Sequence, residues 1–156
     1  MELFTKLTEA YKDYETRTEL ENGVNYFVIV NPFGGENIQI SDEDGIIFFF
    51  SCQHAHFDFY DDIDDNIDCL IEYINSFLHE KQVAIEFFQG DINLFGGSRC
   101  LDDLDMSSGE TLLKSFAGDD FSSLHEHFYK QMKDQNCRCS IRGWDSTCNK
   151  DIDFIL

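Results

Sequence analysis

The chain has 156 residues, of which 42% are hydrophobic and sixteen are Phe, and its 31 Asp and Glu outnumber its 11 Lys and Arg to give a formal net charge of −20. This apolar content argues against intrinsic disorder, and the length suits a single domain spanning residues 1–156. The negative charge repels nucleic acid phosphates and anionic membranes, so we expect neither as a direct partner, whereas basic proteins and divalent cations are attracted.

The first residues, MELFTKLTEAYKDY, have neither the basic start nor the apolar run of a signal peptide, and no stretch reaches membrane-spanning length. We therefore expect a cytoplasmic protein whose six cysteines are thiols. The charge is also uneven, because residues 18–80 contain fourteen Asp and Glu but no Lys or Arg. The alternative is that this charge only keeps the protein dispersed.

The N-terminal third predicts a helix followed by strands. Residues 2–20 carry an apolar stripe of helical spacing that includes Leu7 and Tyr11, and Asn22-Gly23 is a helix-ending signal. Val24 to Val30 has the composition of a strand, 31–35 that of a loop, and 37–41 that of a short strand before a turn at 42–45.

The most apolar stretch, GIIFFFSCQHAHFDFY at 45–60, predicts one long central strand. Phe57 and Phe59 would keep one face on the core, while His54, His56 and Asp58 would form a row on the other face, spaced by roughly 6.5 to 7 Å. Two imidazoles and a carboxylate are ordinary ligands for zinc or another divalent metal, so this row is a candidate metal site. The alternative is that three polar residues line the solvent side of a strand.

Residues 61–78 predict an amphipathic helix that begins in a run of aspartates. These carboxylates can cap the amides at the helix N-terminus and complement its dipole, which is the structural explanation for the cluster. The other explanation is a surface for a cationic partner. It consists of Asp58, Asp61, Asp62, Asp64, Asp65 and Asp68, with Asp102, Asp103 and Asp105 as a second patch.

The C-terminal half predicts a strand at 82–89 that pairs with a strand at 92–95, which Gly96 to Arg99 would break or bulge. Arg99 is expected to pair with a carboxylate, and the alternative is that it contacts a ligand. Residues 102–118 predict a loop with a short strand or turn near 111–116. A helix would begin at Asp119-Asp120, and two strands at 137–142 and 151–156 would end the chain.

This order of elements predicts an α+β fold with a mostly antiparallel sheet and about three helices packed on one side. The central strand, the helix after it and the strand at 82–89 would form one split unit of this sheet.

No catalytic motif stands out, so the first hypothesis is a non-enzymatic binding protein that neutralises a basic partner. The chain resembles the small acidic immunity proteins of bacterial polymorphic toxin systems in its size, its charge and the layout of HAHFD, helix, VAIEFF and GGS between residues 24 and 100. The resemblance implies an α+β protein that binds a cationic toxin, and it assigns no residue roles. The alternatives are a metal-dependent hydrolase that uses His54, His56 and Asp58, and a scaffold or accessory protein.

Overall fold

A computed structural model describes residues 2–118 and 120–156, which form two compact units. The first unit contains the residues up to Glu80 together with Trp144–Ser146. The second contains Lys81–Gly143 and Thr147–Leu156. Each unit combines one antiparallel sheet with helices, so the predicted α+β class is confirmed, although the strands are divided between two sheets.

The first unit is a five-stranded antiparallel meander in which each strand pairs with the next one along the chain. Its strands are β1 (Thr16–Glu21), β2 (Val24–Ile29), β3 (Ile38–Ser41), β4 (Ile46–Phe50) and β5 (Gln53–Phe57). Its helices are α1 (Glu2–Ala10) and α2 (Ile63–His79).

The N-terminal helix is shorter than predicted, because α1 ends at Ala10 and residues 16–21 form a strand. Asn22 and Gly23 connect β1 to β2 as a two-residue hairpin turn in which both residues have positive φ. Asn-Gly favours this turn since both residues tolerate a left-handed backbone. The dipeptide is therefore a hairpin signal here, and its interpretation as a helix end was wrong.

The stretch predicted as one central strand is a hairpin. β4 and β5 are joined by a tight turn at Ser51-Cys52, so that Phe50 pairs with Gln53 and Phe49 pairs with His54. Paired residues share a face of the sheet, and the turn therefore reverses which positions point into the core. Even-numbered residues of β4 are buried, whereas in β5 the even-numbered His54 and His56 are exposed.

Both helices of this unit cover one face of its sheet. The Phe48 ring of β4 lies 5.0 Å from the Tyr73 ring and 5.3 Å from the Phe77 ring, which both belong to α2. Tyr11, the residue directly after α1, is buried and its hydroxyl donates to the Ile71 carbonyl of α2 at 3.2 Å. Aromatic pairs of this kind stabilise a core beyond the area that they bury.

The second unit has a four-stranded antiparallel sheet in the order β7-β6-β8-β9. Its strands are β6 (Gln82–Gln89), β7 (Ile92–Cys100), β8 (Asn136–Gly143) and β9 (Lys150–Ile155). Its helices are α3 (Gly109–Ala117), α4 (Phe121–Leu124) and α5 (Glu126–Met132), and 3-10 turns occur at Leu101–Asp103 and Ser146–Cys148. With α4 and α5 counted as one helix interrupted at His125, the described chain has four helices rather than about three.

Because β6 belongs to this second sheet, it does not form a split unit with the strands before α2. The predicted third helix corresponds to α4 and α5. Of its two expected first residues, Asp120 precedes α4 and Asp119 lies outside the described residues.

The segment predicted as a loop at 102–118 contains α3. Ser108 and Thr111 form a reciprocal cap at its N-terminus, and Leu112, Leu113 and Phe116 are buried. Gly109 lies against the Phe154 ring, because a Cβ at this position would be 2.3 Å from that ring.

The strand β7 runs through the glycines that were expected to break it. Gly97 admits the Phe116 ring, whose nearest atom is 3.3 Å from where a Cβ would lie. The Arg99 guanidinium lies over that same ring and donates to the carbonyl of Phe116 at 3.1 Å. In the described part of the chain the partners of Arg99 are thus an aromatic ring and carbonyl oxygens rather than the expected carboxylate.

Candidate functional site

The acidic charge of the sequence is concentrated in the first unit. The sequence of this unit has nineteen Asp and Glu against three Lys and Arg, a formal net charge of −16, whereas the second unit has twelve against eight, a net charge of −4. A cationic molecule is therefore attracted much more strongly by the first unit than by the second.

The first unit exposes an acidic segment, Asp58–Asp68, which follows β5 and includes the first turns of α2. All six of the aspartates predicted to form a partner surface here are exposed; they are Asp58, Asp61, Asp62, Asp64, Asp65 and Asp68. Such a density of solvated carboxylates in eleven residues is a suitable rim for contacts with Lys and Arg side chains.

Two of these six aspartates have structural roles within the protein. The Asp62 side chain caps α2 by accepting from the Asp64 N–H at 2.8 Å. Asp64 forms an ion pair with Lys6 of α1, and this hydrogen bond is the main reason why the pKa of Lys6 is raised. The structural explanation thus applies to Asp62 and Asp64, and Asp58, Asp61, Asp65 and Asp68 remain as candidate contacts for a partner.

Large apolar side chains are exposed among these carboxylates. The exposed fraction is 69% for Phe59, 53% for Tyr60 and 51% for Ile63. Phe59 was predicted to face the core together with Phe57, but β5 ends at Phe57, which is buried, so Phe59 lies beyond the alternation of the strand. Aromatic residues surrounded by polar ones are typical of the centre of a protein–protein interface.

A buried side chain holds the loop that carries these aromatic residues. Asn66, in the first turns of α2, is only 6% exposed. Its Oδ1 accepts from the Tyr60 N–H at 3.0 Å and its Nδ2 donates to the Tyr60 carbonyl at 2.8 Å. Because both backbone groups of Tyr60 are bound by one rigid side chain, the loop is ordered before any partner arrives, which lowers the entropy cost of binding.

A groove of about 380 Å³ lies beside the acidic segment, within the first unit. Its carboxylates are Glu2, Asp42 and Asp58. Its apolar walls are Leu3, Ile46, Phe57, Tyr60 and Ile63, and it is completed by Gly45 and Asn66. The groove therefore combines an apolar surface with negatively charged carboxylates.

The histidines of the predicted metal site lie on β5, which is an edge strand of the five-stranded sheet. His54 and His56 are both exposed, and their ring centroids are 5.3 Å apart. Asp58 follows the end of the strand. Among residues 2–118 and 120–156, no three His, Cys, Asp or Glu side chains are grouped so that they could hold a metal ion.

The second predicted patch belongs to the second unit, and two of its three aspartates have local partners. Asp102 lies 3.2 Å from the Lys81 ammonium. Asp105 accepts from the Ser107 hydroxyl at 2.6 Å and from the Ser107 N–H at 3.0 Å, and these hydrogen bonds lower its pKa. Asp103 is exposed. This patch is smaller than the acidic segment and has fewer carboxylates that face only solvent.

Sequence reasoning missed several contributors to the site: Glu2, Asp42, Phe59, Tyr60, Ile63 and Asn66. Glu2 is brought to the acidic segment by tertiary packing, and the hydrogen bonds of Asn66 to Tyr60 depend on how the loop folds, so the sequence carries no local signal for either residue. A signal did exist for Phe59, Tyr60 and Ile63, since each is a large apolar residue next to an aspartate.

Comparisons with protein-family models, with curated proteins and with solved structures gave no match. No helix in the described part of the chain has both the length and the apolar character that crossing a membrane requires.

Proposed function

We propose that this chain is a non-enzymatic acidic binding protein that neutralises a basic protein partner, in the manner of an immunity protein that blocks a cationic toxin. The observation that carries the proposal is the exposure of Phe59, Tyr60 and Ile63 among the carboxylates of the acidic segment, in a unit with a net charge of −16. Solubility alone accounts for the charge but not for exposed aromatic residues within it.

The two kinds of residue have different roles in this proposal. The carboxylates of Asp58, Asp61, Asp65 and Asp68 attract the basic surface and accelerate encounter, because the electrostatic field acts before contact is made. Phe59 and Tyr60 then contribute lasting affinity by burying apolar area in the partner. The two hydrogen bonds between the Asn66 side chain and the Tyr60 backbone keep the loop in one conformation for this contact.

The proposal is tested with the basic protein domain that an immunity-like chain is expected to have encoded beside it. Binding is measured by calorimetry for the wild type, for Phe59→Ala, and for Phe33→Ala as a control, since Phe33 is also exposed but lies outside the acidic segment. We expect Phe59→Ala to weaken binding at least tenfold and Phe33→Ala to leave it unchanged. Equal affinities for all three proteins would contradict the proposal, as would the absence of any basic domain beside this chain.

The alternative function, a metal-dependent hydrolase, is favoured only by the adjacency of His54 and His56 on one face of β5. It predicts about one zinc or similar ion per chain in the purified protein, lost in a His54→Ala, His56→Ala double variant. Elemental analysis that finds well under one ion per chain would exclude it.

A further inference from the structure

The groove beside the acidic segment has an amphipathic character that restricts what it can bind. Ile46 and Phe57 are buried residues that line its apolar side, and Ile63, which is half exposed, continues that side towards solvent. Glu2, Asp42 and Asp58 supply carboxylates from three separate parts of the chain. A purely apolar ligand would leave these carboxylates against an apolar surface, and an anion would be repelled by them.

A basic side chain can interact with both the apolar residues and the carboxylates of the groove. Lys and Arg bury their aliphatic stems along apolar surface and keep the charged end in a polar environment. The volume of about 380 Å³ is large enough to admit one long basic side chain.

Arginine fits this groove better than lysine. Its planar guanidinium is more weakly hydrated than an ammonium, packs on aromatic rings and offers five donors that match several carboxylates at once. Two aromatic residues, Phe57 and Tyr60, are among the residues that line the groove. The same chain packs its own guanidinium groups on rings elsewhere, with Arg138 lying 4.8 Å from the centroid of the Phe88 ring.

We propose that this groove binds an arginine side chain of the basic partner, with the stem along Ile46 and Ile63 and the guanidinium against the carboxylates of Glu2, Asp42 and Asp58. The proposal rests on the function proposed above and adds to it the residue type that the partner must present. Asn66 is a positioning residue for this site, because its side chain binds both backbone groups of Tyr60, which is one of the lining residues.

The probe for the test is N-acetyl-arginine amide, titrated into the ¹⁵N-labelled full chain with no tag before Met1 while amide chemical shifts are recorded. N-acetyl-lysine amide and N-acetyl-citrulline amide are titrated in parallel, and citrulline has nearly the shape of arginine without its charge. We expect saturable shifts for the arginine probe at Gly45, Ile46, Tyr60 and Ile63, at least threefold weaker binding of the lysine probe, and no shifts with citrulline.

The matched variants are Asp58→Asn in the groove and Asp103→Asn in the second unit, which remove the same charge. We expect Asp58→Asn to weaken binding of the arginine probe at least threefold and Asp103→Asn to leave it unchanged. The proposal is overturned by shifts that are spread over all exposed carboxylates, by equal binding of the lysine probe, or by equal effects of the two variants.

The same two variants separate this proposal from the proposed function when they are tested against the basic protein partner. If the partner binds the wild type and Asp58→Asn equally well, the groove proposal fails and the function stands. If the arginine probe binds the groove but no basic partner binds the chain, the proposed function fails instead.

Discussion

Neighbouring aspartates in the acidic segment have opposite roles at the scale of single residues. Asp62 caps α2 through the Asp64 N–H, whereas the adjacent Asp61 is exposed and precedes the helix. The type and charge of the side chain are the same at both positions, so substitutions at Asp61 and Asp62 form a matched pair.

We expect Asp62→Ala to lower the free energy of unfolding by about 1 kcal/mol, because a helix N-cap is lost. Asp61→Ala should change it by less than about 0.5 kcal/mol, as for most exposed sites. Urea unfolding of both variants measures the difference. Equal destabilisation by the two substitutions would show that Asp62 is not a cap in solution.

The buried thiol of Cys139 makes stability depend on pH. Burial, aided by the charge of Asp151, raises the pKa of Cys139 from 9.0 to about 12. Below pH 9 the thiol is protonated in both the folded and the unfolded states, so its contribution to stability is complete. Between pH 9 and about 12 only the unfolded state releases the proton, and that contribution is lost as pH rises.

We therefore expect the unfolding free energy of the wild type to fall with pH between 9 and 12 more steeply than that of Cys139→Ala, by up to about 1.4 kcal/mol per pH unit. The measurement is urea unfolding at several pH values. Parallel slopes for the wild type and Cys139→Ala would contradict the burial of this thiol.

For single residues, the sequence predicted which aspartates are exposed but did not predict which side chains contact each other. All the aspartates of the acidic segment are exposed, as their charge requires, because a buried carboxylate without a partner is too costly. The hydrogen-bond partners of Arg99 and Asn66 were not predictable. Arg99 donates to the Phe116 carbonyl and Asn66 donates to the Tyr60 carbonyl, and only the fold brings these atoms together.

At the scale of elements, the loop before α2 is ordered by a helix residue. Asn66→Ala removes both hydrogen bonds to the Tyr60 backbone. We expect amide exchange at Tyr60 to increase at least tenfold, and stability to fall by about 1–3 kcal/mol, because buried polar groups lose their partner.

Asn75→Ala is the control for this change, since Asn75 lies on the same helix but contacts the Tyr11 hydroxyl instead. In Asn75→Ala, the amide exchange rate of Tyr60 should match that of the wild type. An unchanged exchange rate of Tyr60 in Asn66→Ala would show that the Asn66 side chain does not order the loop.

The packing of α3 on β9 depends on a glycine. Ala is normally favoured over Gly within a helix, but a Cβ at Gly109 would overlap the Phe154 ring. We expect Gly109→Ala to destabilise the protein by about 1–3 kcal/mol, the typical cost of overpacking. Glu110→Ala, at the next and exposed position, should cost no more than about 0.5 kcal/mol. Thermal unfolding that shows Gly109→Ala to be stabilising would contradict this packing.

The sequence predicts most strands and α2 because apolar and aromatic content is a strong signal for both. The turn at Ser51-Cys52 was missed since neither residue marks a turn and the apolar run continues up to it. The helix α3 was missed since its cap pairs Ser108 with Thr111 instead of the more familiar Glu or Gln, and its apolar stripe is short.

At the scale of the whole molecule, the sequence showed that residues 18–80 lack positive charge, and the structure places this stretch in the first unit together with an exposed apolar cluster. The five-stranded meander and α2 bring its carboxylates from distant positions into that one unit. The division of the strands between two sheets was not predictable from composition, because strands of either sheet have the same apolar pattern.

The central claim is that the acidic segment, rather than the total charge, attracts a basic protein. Two variants separate these explanations, since each replaces four exposed aspartates by Asn. One replaces Asp58, Asp61, Asp65 and Asp68, and the other replaces Asp103, Asp120, Asp134 and Asp153 of the second unit.

The decisive measurement is the association rate constant of the basic partner with the wild type and both variants, between about 50 and 500 mM salt. We expect the wild-type rate constant to fall at least about tenfold with salt, the acidic-segment variant to lose most of that dependence, and the second-unit variant to keep it. A rate constant that does not change with salt, or equal losses in both variants, would contradict the claim.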